Sequence, residues 1–323
     1  MLDYTVYYRR RLDLDALRET SRDWGLFISA YNDSERVQRP FEAVQSATKH
    51  WLIHREYQFS AHEVPTCDAY TPAEGNEADF WRSYVDLAGV DLASQELCID
   101  ATGFMRPHLA FLLVLLKQAG VGRVHFLYTD PERYVKAENT QFTKGPVTEV
   151  RQIAGFEGIH STDTSNDLLI IGAGYDHQLI RRIAEFKEYS RKLQLFGLPS
   201  LQPSMYQESV ISASRAAESL GSSAQDDVLF APASDPFVTA QVLHERVERE
   251  RGRRRVTNLY LSALGTKPQV LGFALYFVTE CLESSTSLLF PYAERYTQET
   301  SKGISRIWHY TLELDGARSS EQT

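Results

Sequence analysis

Two strand-to-helix loops carry the residues best suited to chemistry. They are Asp100-Ala101-Thr102-Gly103-Phe104-Met105-Arg106-Pro107 and Ser262-Ala263-Leu264-Gly265-Thr266-Lys267-Pro268. A helix start presents free amides and partial positive charge, which favours an anion. Gly103 and Gly265 let the backbone approach, Thr102 and Thr266 add hydroxyls, and Arg106 and Lys267 add full charge. Each loop is suited to a phosphate. The same residues also suit a plain turn with solvated basic side chains, because proline is at home in a first helical turn.

Other stretches carry less. Gly172-Ala173-Gly174-Tyr175-Asp176-His177 has His177 where a dinucleotide fingerprint needs its third glycine, so a tight turn is expected and no nicotinamide or flavin cofactor. In Leu198–Glu208, Gln202, Tyr206 and Gln207 could read or stack on a base, or simply pack at the surface. Asp235 suits a helix cap better than a metal. His50, His54 and His62 lie close in sequence without a carboxylate cluster, so no metal site is expected. The run Glu245–Arg255 reads as a solvated helix end. GxSxG, GxxxxGK[ST] and HExxH are all absent, so no catalytic residue is assigned.

The elements that position these loops alternate between short β-rich runs and helical patterns, which predicts a parallel sheet wrapped by helices. In the first half, strands are expected at 26–29, 51–53, 97–100 and 124–128, with helices at 34–47, 78–87 and 107–118. In the second, strands are expected at 168–171, 193–196, 228–230, 259–261 and 288–290, with helices at 178–192, 206–220, 238–250 and from 268. Leu26–Asn32 echoes Leu169–Tyr175, Arg106-Pro107 echoes Lys267-Pro268, and Glu132-Arg133-Tyr134 echoes Glu294-Arg295-Tyr296. A Gly-led candidate strand trails each half, at 147–153 and 304–314. Three ordered matches in like contexts favour duplication. The fold class is therefore α/β, with two Rossmann-like halves of mainly parallel sheet related by pseudo-twofold duplication. The halves are expected at 1–160 and 161–323, divided in the polar stretch His160–Asn166, with a second loop at 219–227.

Composition sets the outer limits. At 323 residues, 43% hydrophobic and 24% charged, the chain is globular. A net charge of −9 does not suit a dedicated nucleic-acid binder, but leaves room for a local basic pocket. Cys67, Cys98 and Cys281 are scattered and odd in number, which argues against a disulfide framework or zinc ribbon. No secretory leader or membrane-length apolar run is visible, so a cytoplasmic protein without a membrane partner is expected.

A strand, then Asp-x-Thr-Gly, a basic residue and an apolar helix resembles the corresponding segment of CARF domains, as does Gly265-Thr266-Lys267. CARF and the related SAVED domains are Rossmann-like sensors of cyclic oligonucleotides in prokaryotic antiviral systems. The resemblance spans most of 24–314 and implies a ligand held by the loop after the first strand and by the later Thr/Lys loop. It carries over to Ser29, Tyr31, Asn32, Thr102 and Arg106 in the first half, and to Gly172, Gly174, Tyr175, Thr266 and Lys267 in the second. Phe104-Met105 departs from the family's glycine-rich loop, and no fused nuclease, protease or membrane effector is evident. The expectation is a nucleotide-binding regulatory protein whose halves form one pseudo-symmetric site and which signals through a separate partner protein. The alternatives are a phosphodiesterase that cleaves the bound nucleotide, and an interaction subunit of a defence complex with a decayed site.

Overall fold

Strands buried on both faces need unbroken apolar runs, and this chain supplies them at regular intervals. The computed structural model describes residues 3–4, 8–134, 143–221, 227–296 and 301–314. In chain order the first elements are β1 (Tyr8–Leu12), α1 (Leu14–Thr20), β2 (Leu26–Ala30), α2 (Glu35–Ala43), β3 (Thr48–Leu52), β4 (Ala69–Tyr70), α3 (Glu77–Ala88), β5 (Leu97–Asp100), α4 (Arg106–Gln118), β6 (Arg123–Asp130), β7 (Arg133–Tyr134) and β8 (Thr143–Gln152). There follow β9 (Leu168–Gly172), α5 (His177–Phe186), β10 (Arg191–Gly197), α6 (Met205–Arg215), α7 (Ala217–Leu220), β11 (Val228–Ala231), α8 (Pro236–Arg253), β12 (Leu259–Ala263), α9 (Lys267–Glu280), β13 (Thr286–Tyr296), β14 (Ser301–Lys302) and β15 (Arg306–Glu313).

One sheet runs β1-β15-β6-β5-β2-β3-β4 and another runs β11-β10-β9-β12-β13-β8, while β7 and β14 make a short ribbon. Read from the opposite end, the second sheet repeats the first strand for strand, with β1 the addition. The senses repeat too. β2 is parallel to β3 and β5, and β5 to β6, before β15 closes antiparallel on β6. β9 is parallel to β10 and β12, and β12 to β13, before β8 closes antiparallel on β13. Two Rossmann-like halves built by duplication are the result, and α4 and α9 occupy the same place in each. Both helices are apolar nearly all round and correspondingly buried.

The closing strands are exchanged. β15, late in the chain, completes the first sheet, and β8, from the middle, completes the second. Compact units accordingly comprise Met1–Arg133 with Ser301–Thr323, and Tyr134–Thr300. This differs from the expected division at 160/161. Alternation fixes the order of strands, but it does not say which half a trailing strand will pair with. The polar stretch expected as the boundary is instead tied to the second unit. Asn258 Oδ1 accepts from Ser161 N–H at 2.7 Å, and Asn258 Nδ2 donates to Asp163 O at 3.1 Å.

Local signals explain the ends. Asn76 closes a capping box on α3, and Asp235 accepts from the amides of Phe237 and Val238 to start α8. Ser34 sits at the N-cap of α2 without a side-chain capping bond, and the helix stops at Ala43 rather than 47 because Val44 turns extended after Pro40. The helix expected to reach 192 ends at Phe186, since Arg191 already belongs to β10. The helix expected over 206–220 breaks at Ala216, and of the loop expected at 219–227, residues 222–226 lie outside the described residues.

Candidate functional site

In open α/β sheets, ligands bind beyond the carboxyl ends of the parallel strands. At that edge of the first unit the expected site residues meet. Ser29, at the end of β2, donates to Asp100 Oδ2 at 3.0 Å. Asp100 Oδ1 accepts from Thr102 N–H at 3.0 Å, and Thr102 Oγ1 accepts from Thr129 N–H at 3.0 Å. This chain ties β2, β5 and β6 together. It also takes up the groups that sequence offers to a ligand: Ser29 is 0% exposed and Thr102 7%. Asn32 is buried, its Oδ1 accepting from Ser34 N–H at 3.0 Å. Tyr31 is half-buried, edge-on to Trp51 and Phe59, and its hydroxyl donates to Glu63 O. Arg106 is half-buried at the first position of α4.

Gly103 has a strict steric reason. A Cβ there would stand 1.9 Å from Ala30 O, so the β5 loop passes directly against the end of β2.

The second unit uses its loop in the same way. Thr266 is the N-cap of α9 and forms a capping box with Gln269, and its hydroxyl donates to Ala233 O. Gly174 would place a Cβ 2.2 Å from Leu264 O, and Gly172 one 3.0 Å from a Phe273 ring carbon. Close packing of strand, loop and helix therefore accounts for the glycine pair. Tyr175 O accepts from Ser212, and Tyr206 packs between Phe196 and Phe230. Gln202 and Lys267 are half-buried. The two halves correspond with Leu26 matched to Leu168, since the Tyr31 N–H bond to Leu52 O recurs as Ala173 N–H to Leu195 O. That is one residue off the sequence echo, so Ser29 corresponds to Ile171 and not to Gly172.

The strongest polar cluster at the carboxyl edge escaped the sequence reading. β6 ends at Asp130, opposite Arg306 at the start of β15, and β1 ends opposite Ile307. A pocket of about 470 Å3 opens there. Arg11, Arg39 and Arg306 line it, with Asp13, Ser305 and the apolar Leu12, Leu14, Ile304 and Ile307. Arg11 and Arg39 are exposed, and Arg306 is half-exposed and 3.4 Å from Asp130 Oδ2. Behind them Arg36 is buried. It donates to Thr129 O from Nε at 2.8 Å and to Ser301 Oγ at 2.7 Å, and lies over the Tyr128 ring.

Asp130 is 1% exposed and accepts from Trp308 Nε1 at 2.9 Å. Burial pushes its carboxyl up to about 6, against the Trp308 bond and the charges of Arg306, Arg36 and Arg11. Guanidinium forks over an apolar floor suit a phosphate-bearing ligand with a flat apolar part. The sequence signal is the run Arg9-Arg10-Arg11, which marks no site until β1 brings its end beside β15.

The histidines separate. His50 Nδ1 lies 2.9 Å from the Tyr84 hydroxyl, and His62 beside Ser60. His54 is instead grouped with Glu56 and His108. All three cysteines are free thiols, and among the described residues no helix is long and apolar enough to cross a membrane.

No protein-family model matches the chain, and no curated protein matches it. Among solved structures it is similar to one titled "Adenylation, ketoreductase, and pseudo Asub multidomain structure of a keto acid-selecting NRPS module", at 8% identity and a TM-score of 0.22. The match covers 87% of this chain and 34% of that one. A likeness at that TM-score carries no argument about fold or function.

Proposed function

We propose that the chain is a nucleotide-binding regulatory protein that takes a phosphate-bearing ligand of the cyclic-oligonucleotide class. The observation that carries this reading is the arginine-lined pocket at the carboxyl edge of the first Rossmann-like unit. A volume of about 470 Å3 suits a small ligand, and three guanidinium groups around an apolar floor match phosphate and base together. The basic starts of α4 and α9, Arg106 and Lys267, are further candidates for phosphate contacts. Such a protein would act in the cytoplasm, in prokaryotic antiviral signalling, by changing its association with a partner protein. Ligand must then favour one of two states of the molecule.

Calorimetric titration with sulfate and a panel of cyclic oligonucleotides tests the reading. Wild type should bind, and Arg11→Ala with Arg39→Ala should lose most of the affinity. Equal affinity in the variant would remove the pocket from the account.

One observation favours a second reading, cleavage of the bound nucleotide. A carboxyl held at about 6 amid arginines has the proton affinity of a general acid or base working near neutrality. Steady nucleotide turnover that Asp130→Asn abolishes would establish the phosphodiesterase.

A further inference from the structure

The loop after β3 and the first turn of α4 bring two histidines and a carboxylate to one point. His54, Glu56 and His108 each offer one ligand atom, and these atoms all lie within 4.8 Å of one another. His54 is 0% exposed and His108 5%, while the Glu56 side chain is 38% exposed. Aromatic rings hold both imidazoles. His54 stacks on Phe80 with centroids 4.7 Å apart, and His108 meets the same ring edge-on at 4.6 Å. Trp81 Nε1 donates to His108 O at 2.9 Å and so fixes the turn that carries the second histidine. A pocket of about 310 Å3, lined by Glu56, His108, Phe80, Arg55 and Glu74, reaches the cluster from outside.

We propose that His54, Glu56 and His108 bind one divalent transition-metal ion of the zinc class. Two imidazoles and a carboxylate are the donors such an ion prefers, and three protein ligands leave a position for water. Metal–ligand bonds of about 2.0–2.2 Å at tetrahedral angles put ligand atoms roughly 3.3–3.5 Å apart. His54 Nδ1 and Glu56 Oε2 are already at 3.8 Å, and Glu56 is exposed enough to swing the remainder. Charge is also favourable. Arg55 lies 3.6 Å from Glu74, so the Glu56 charge remains to offset the dication. Ligation through Nδ1 of His54 would place the ring proton on Nε2, where it faces Met105 N–H, so the long 3.4 Å contact would be lost and the two donors would have to draw apart. That contact is weak at such a distance. These residues are separate from the arginine pocket, so the two proposals stand or fall apart.

The test is metal content. Wild-type protein stripped with chelator, loaded with zinc and desalted should retain one ion per chain by plasma mass spectrometry. X-ray absorption should show two imidazole ligands. Glu56→Ala, a surface change that leaves the aromatic cage intact, should weaken zinc affinity by roughly tenfold or more. His108→Asn, with its fold checked by circular dichroism, should lose the ion. Cys67→Ser with His62→Ala, both at the exposed neighbouring loop, should change nothing. Wild type that retains no zinc would overturn the proposal, leaving an ordinary histidine–glutamate contact. So would binding that survives Glu56→Ala and His108→Asn or disappears with Cys67→Ser and His62→Ala.

Discussion

Replacing Asp130 by asparagine isolates the one buried carboxylate of the arginine cluster. The substitution keeps the shape and an oxygen for Trp308 Nε1, and removes the charge. The difference between the ordinary 3.8 and the value of about 6 corresponds to about 3 kcal/mol. The sign follows from linkage: the folded protein holds this proton more tightly than the unfolded chain. Stability therefore falls as pH rises from about 4 to about 6, and the whole cost is present above that range. Asp130→Asn should be more stable than wild type at pH 7.5 by up to about 3 kcal/mol, with the difference vanishing near pH 4. His309 pulls the other way. Burial, with His125 and Arg10 beside it, holds its imidazole at about 3, so stability falls as pH drops below its ordinary 6.5. That contribution is common to both proteins and cancels in the difference. Urea denaturation of the pair at several pH values reads it directly. The variant should also bind sulfate more tightly at neutral pH, because an opposing charge has gone. A stability difference independent of pH would mean that folding does not shift the Asp130 carboxyl, and a variant less stable at pH 7.5 would mean that the arginines more than offset the burial of its charge.

Other outcomes follow from the same geometry. Arg11→Ala and Arg39→Ala should each weaken anion binding by roughly 10- to 150-fold, the value of a charge-assisted bond, with a dependence on salt that calorimetry can follow. Gly103→Ala and Gly174→Ala must push a Cβ into Ala30 O and Leu264 O, and should each destabilise by about 1–3 kcal/mol or more in denaturant titration. Burial raises the Glu250 carboxyl, but bonds from Arg191 and Arg254 hold it at about 2, so its contribution is present above about 4.5 and lost as pH falls towards 2. Glu250→Gln takes the anion from Arg254 and leaves Arg191 with Asp227 alone, and should cost about 1.5–3 kcal/mol at neutral pH.

The repeating α/β order was legible because buried parallel strands read as apolar runs whatever surrounds them: Leu26–Ile28, Leu97–Ile99, Leu168–Ile171 and Leu259–Leu261 all stand as expected. Asp100 and Asp235 were legible as turn and cap residues, since those bonds are local. What the sequence did not carry was non-local. β1 was not legible because Arg9-Arg10-Arg11 has no strand pattern until it pairs with β15. The exchange of β8 and β15 depends on which edge each strand finds. Thr102 and Thr266 were legible as polar residues beside a helix start, but their hydroxyls bond to Thr129 N–H and Ala233 O, partners distant in sequence. Arg11, Arg39, Arg306 and Asp130 converge from four separate segments, so no spacing announces them.

The pocket between β1, α2 and the start of β15 is the proposed phosphate site, and reversing its charge is the sharpest test of it. Arg11→Glu and Arg39→Glu change exposed side chains, so the fold should persist while the sign of the pocket inverts. Calorimetric titration of wild type and this double variant with the cyclic-oligonucleotide panel should give saturable binding of at least one member to wild type and none to the variant. Binding of equal strength to both proteins, or no binding of any member or of sulfate to wild type, would show that this pocket is not a phosphate site.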